Sequence, residues 1–194
     1  MEKLDKGLLD VPEKAVISNI ATAHGGKIEG SDDRDTLRNV NSLEICNGIP
    51  IRSTLLAAVL RFADELAEDK SRANRYLYDA GQIPEANRIF HEYSLVLDPI
   101  SIMGNTVRFI YHVPYEKTLS RIPNDQGAYL YDEIRKRLKK CMCELEYCRK
   151  YAEGYIEISA LSADVNIMKK NMQHKIERSI KLNLRLAGYP GGYN

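Results

Sequence analysis

Ile51 to Asn74 reads IRSTLLAAVLRFADELAEDKSRAN. Pro50 stands just ahead of it and suits the opening of a helix. At about 100° per residue, Leu55, Val59, Leu60, Phe62, Ala63 and Leu66 fall in one apolar arc, with Arg61, Glu65 and Glu68 on the outer face. Asp64 lies at the edge of that arc, beside Leu60 and Ala57. An acid at the seam between core and solvent suits a metal ligand at the floor of a helical cleft, and equally a structural salt bridge.

Upstream, DVPEKAVISNIATAHGG at 10–26 carries a capping Asp10, a first-turn Pro12 and a glycine stop, which predicts a helix over about 12–24. Val16, Ile17, Ile20 and Ala21 share one face, and His24 falls within it. An imidazole there points towards a core or a cleft floor and needs partners for its ring nitrogens. Residues 27–49 are rich in Asp, Asn, Ser and Gly and lack a clean period, which predicts loop with one short helix.

Downstream, short helices are expected at about 71–78 and 84–92. YSLVLDPISIMGNTVRFIYHV at 93–113 alternates β-branched and aromatic residues on both sides of Gly104-Asn105, which predicts a hairpin with a kinked or edge first strand at Pro99. Leu130, Ile134, Leu138, Met142 and Leu145 define a long amphipathic helix over 125–153. YIEISALSADVNI then reads as a strand and KKNMQHKIERSIKLNLRLAG as a basic terminal helix. The fold class is α+β: a helical region over 1–92, then a lobe over 93–194 in the order strand, strand, helix, strand, helix, with a small antiparallel sheet.

The formal net charge of +1 over 194 residues gives no global field for nucleic acid or an anionic membrane, and acids offset the basic run RKRLKK at 135–140. No apolar run reaches the roughly 18 residues that span a bilayer, and MEKLDKGLLD lacks a signal-peptide core, so a cytoplasmic protein is expected. Cys141 and Cys143 point about 200° apart on a helix, against a zinc site, whereas Cys141, Leu145 and Cys148 share a core face. Twelve tyrosines with no tryptophan suit ordinary packing or an interface, and a homodimer is one expectation.

AVISNIATAHGG and IRSTLLAAVLRFADELAEDKSRAN together resemble the second half of an HD-domain metal-dependent phosphohydrolase, over about residues 10–76. The sheet lobe resembles the C-terminal extension of some HD-like proteins. The resemblance implies that His24 is a metal-associated histidine and Asp64 the last metal-binding aspartate. A divalent ion (Mn, Fe, Ni, Zn or Mg) would then assist hydrolysis of a phosphate ester or nucleotide. Lys70, Arg72 and Arg75 would pair with the phosphate, or else be a solvated basic helix start. No His-Asp dipeptide occurs in the chain, and HD enzymes place one upstream of these helices. The expectation is therefore an incomplete HD region, inactive alone. A non-catalytic HD-like sensor or scaffold and a dimerisation domain are the other readings.

Overall fold

The computed structural model describes residues 9–25, 34–68, 73, 75–115, 130–169 and 172–186. The chain divides into two compact units, Met1–Asp64 with Glu146–Ile156, and Glu65–Leu145 with Glu157–Asn194. The α+β class holds, with helices and two small sheets.

In the first unit, α1 spans Val11–Ala23. A reciprocal capping box starts it: Glu13 N–H donates to Asp10, and Asp10 N–H to Glu13, each at 2.9 Å. The segment expected to be loop holds a 3-10 turn, Thr36–Asn39, and a hairpin of β1 (Glu44–Cys46) and β2 (Ile49–Ile51). Asn47 and Gly48 join these strands at φ 51° and 79°, the left-handed pair that a two-residue hairpin turn needs. Pro50 does not open the next helix; it sits in β2 opposite Ile45, where a short edge strand tolerates a missing N–H.

Helix α2 spans Ser53–Leu66 and buries Ser53, Thr54, Ala57, Ala58, Arg61 and Phe62. Its inner face is therefore rotated from the expected arc. Val59 and Leu60 are exposed, and Arg61, expected outside, is buried.

In the second unit come α3 (Arg75–Asp79) and α4 (Glu85–Val96). Helix α4 takes up Tyr93–Val96, which had read as strand, because Ile89, Tyr93 and Val96 recur at helical spacing and are buried together. Strands β3 (Ser101–Met103) and β4 (Thr106–Val113) make the expected hairpin around Gly104-Asn105. Along β4, Val107, Phe109, Tyr111 and Val113 are buried, alternating with half-buried neighbours.

Helix α5 (Leu130–Tyr151) runs in a buried stripe through Leu130, Ile134, Leu138, Cys141, Leu145 and Cys148. All four cysteines are free thiols. Two corrections follow. Strand β5 (Ala160–Lys169) pairs parallel to β4, Thr106 opposite Ala160 through Val113 opposite Ile167, so the sheet is mixed rather than antiparallel. A helix between two strands is the long crossover that parallel pairing needs. The expected terminal helix is instead β6 (Met172–Arg185), antiparallel to β5 in the order β3-β4-β5-β6. Ile176, Ile180 and Leu184 fit both periods, but Leu182 joins Ile180 and Leu184 only in a strand. Among the described residues no helix is long and apolar enough to cross a membrane.

Candidate functional site

His24 is the C-cap of α1, half-buried, with its Nδ1 hydrogen-bonded to the Ala21 carbonyl. The helix end around it is fixed from α2. Arg61 Nη1 donates to the Gly25 carbonyl at 3.1 Å and to Thr36 Oγ1 at 2.9 Å, and Thr36 Oγ1 donates to the Ala23 carbonyl at 2.6 Å. The Ala23 carbonyl at the end of α1 and the Gly25 carbonyl just beyond it are thus taken up by side chains. The Arg61 guanidinium lies over the Tyr147 ring, 4.5 Å from its centroid.

A second layer, invisible to the sequence reading, completes this corner. Tyr147 and Tyr151, one turn apart on α5, donate to Asp35 at 2.9 and 2.5 Å, and Tyr147 Oη accepts the Leu37 N–H at 3.0 Å. Burial alone would raise the Asp35 pKa. The bonds from Tyr151 and Tyr147 and the charge of Lys150, 3.9 Å away, outweigh it and hold the carboxyl below its ordinary value. Burial, with the nearby Asp35 carboxylate, pushes Tyr147 up to about 12 and Tyr151 higher still. The i, i+4 tyrosine pair was the sequence signal, but its acid partner lies 112 residues away from Tyr147.

Asp64 follows Arg61 by three residues, one helical turn along the same strip, and is exposed at the C-terminal end of α2. The structure therefore ties the His24 end of α1 to the Asp64-bearing helix through the Arg61–Gly25 bond. Lys70 and Arg72 lie outside the described residues, as does the side chain of Arg75. His112, on β4, is half-buried with Nε2 2.9 Å from Asp98.

A family model described as HD-CE matches residues 2–140, more than two thirds of the chain. The chain belongs to the HD-CE family. The HD-CE match takes in α1, α2, the first hairpin of the larger sheet and the first half of α5, and ends before β5 and β6. No curated protein and no solved structure matches the chain.

His24 and Asp64 supply a nitrogen and a carboxylate, donor types found together on first-row divalent ions rather than on magnesium. Among the described residues no group of three or more His, Cys, Asp or Glu side chains is placed to hold one. Two donors fall short of a closed metal centre of the protein's own.

Proposed function

We propose that this HD-CE chain is a phosphohydrolase module acting on a phosphate ester or nucleotide, with His24 and Asp64 as its own donors to a divalent ion that binds together with the ligand's phosphate. The ion would supply Lewis-acid stabilisation of phosphate charge and a water of lowered pKa. Lys70, Arg72 and Arg75 follow Asp64 closely in the chain and add positive charge for the same phosphate. The observation that carries this reading is the buried Arg61, which bonds to the carbonyl of Gly25, the residue after His24, from the helix that bears Asp64. Membership of the HD-CE family supports it.

The test is phosphate release from p-nitrophenyl phosphate and a panel of nucleoside monophosphates with added Mn²⁺. Turnover that falls at least about tenfold in Asp64→Ala and His24→Ala supports hydrolysis at this corner. Turnover that both variants leave intact contradicts it. Nucleotide binding without turnover that both variants weaken fits an incomplete HD region inactive alone, and nucleotide binding that neither variant weakens marks the alternative, a non-catalytic HD-like binding module.

A further inference from the structure

A cleft of about 370 Å³ opens in the second unit, and its lining divides by chemistry. Phe90, Tyr93, Ile100, Phe109, Leu138 and Cys141 make apolar walls. The remaining side chains are three acids and three bases that close on one another. Arg137 donates to Glu133 at 2.9 Å and to Glu68, Lys140 pairs with Glu65 at 2.7 Å, and Lys136 lies 3.6 Å from Glu133.

Arg137 is the organising residue. Its two carboxylate partners fix the guanidinium, and the charge lies over two rings, 4.3 Å from the Tyr93 centroid and 5.1 Å from that of Phe90. Burial alone would lower the Arg137 pKa, but Glu133 and Glu68 more than restore it. The Tyr93 hydroxyl is taken by Tyr111 at 3.0 Å. Phe90 carries Arg137 over one face and is 46% exposed. An adjoining hollow shares Glu68, Phe90 and Arg137 and adds Ser94 and His91. His91 Nδ1 is buried with no hydrogen-bond partner among the described residues.

We propose that this cleft binds a planar, uncharged heteroaromatic ring, the chemistry of a nucleobase, stacked on Phe90. The volume falls in the range of small-molecule sites, about 300–1,000 Å³, with aromatic walls and a few convergent polar groups. Because the charges are internally balanced, the cleft has no surplus cation for a phosphate. The carboxylate oxygens of Glu65 and Glu68 line the cleft and accept from ring and amino N–H groups. The lining residues are distinct from His24 and Asp64, so this site stands or falls apart from the metal reading.

The experiment is calorimetric titration of the full chain with adenosine, guanosine, cytidine and uridine, and with inorganic phosphate as the anion probe. Saturable binding of at least one nucleoside is expected, within about threefold of its 5′-monophosphate and almost independent of salt. Base–aromatic stacking is lost in Phe90→Ala, with an expected weakening of about tenfold, and kept in Phe90→Tyr. Phe90→Leu, which keeps apolar area without a ring face, gives the same loss as Phe90→Ala and covers the case in which that variant folds poorly. No nucleoside binding to the wild type would overturn the proposal. So would binding that Phe90→Ala and Phe90→Leu leave unchanged, or binding that needs the phosphate.

Discussion

Arg61 carries more of the first unit than its place in LRFADEL announces. An arc drawn from hydrophobic weights centred on Val59 and Leu66 and sent Arg61 to solvent, whereas the helix buries the side lined by Ser53, Thr54, Ala57 and Ala58. Small side chains weigh little in such an arc, yet they mark where a helix can approach its neighbours closely. Arg61→Ala leaves the Gly25 carbonyl and Thr36 hydroxyl without this donor and opens space beside Tyr147. Its expected cost is about 3 kcal/mol in urea denaturation, and Arg61→Lys recovers only part of it. Asp35 sets a pH dependence. Its folded pKa is depressed, so its stabilisation is present above the unfolded value of about 4 and is lost as pH falls through the folded value. Asp35→Asn should therefore cost about 1 kcal/mol at pH 7, with the gap to wild type closing in acid denaturation below about pH 4. Tyr147 and Tyr151 have raised folded values, so the same network loses stability as pH rises from about 10 to beyond 12.

At the scale of elements, caps and long stripes were legible and short or ambiguous segments were not. The Asp10–Glu13 capping box and the α5 stripe stand in the sequence as local patterns. Asp10→Ala should lower stability by about 1 kcal/mol in thermal unfolding, since it removes the cap from α1. The Asn47-Gly48 turn was present as a dipeptide but joined strands of only three residues, too short to alternate visibly. Strand β6 was missed because isoleucines four apart satisfy a helix as well as a strand. Hydrogen exchange separates the two: amides bonded to β5 are protected and those pointing away from β5, unpaired among the described residues, exchange, so protection should alternate along 179–184. Uniform protection there would indicate a helix.

At the scale of the whole molecule, the resemblance carried by AVISNIATAHGG and LRFADEL is answered by the HD-CE match over residues 2–140. The grouping of Asp35, Thr36, Arg61 and Tyr147 was beyond reach of any local pattern. It joins residues from 25 to 112 positions apart, which only the folded first unit brings together. His24 and Asp64 were legible as residue types on two helices, but their place beside this network was not. The most direct measurement of their role is Mn²⁺ titration followed by electron paramagnetic resonance, with and without a nucleoside monophosphate. Wild-type chain should bind the ion, more tightly with the nucleotide present, and His24→Ala and Asp64→Ala should each weaken it by about tenfold or more. Mn²⁺ binding that neither substitution changes, or none with the nucleotide present, would contradict a metal site at this corner.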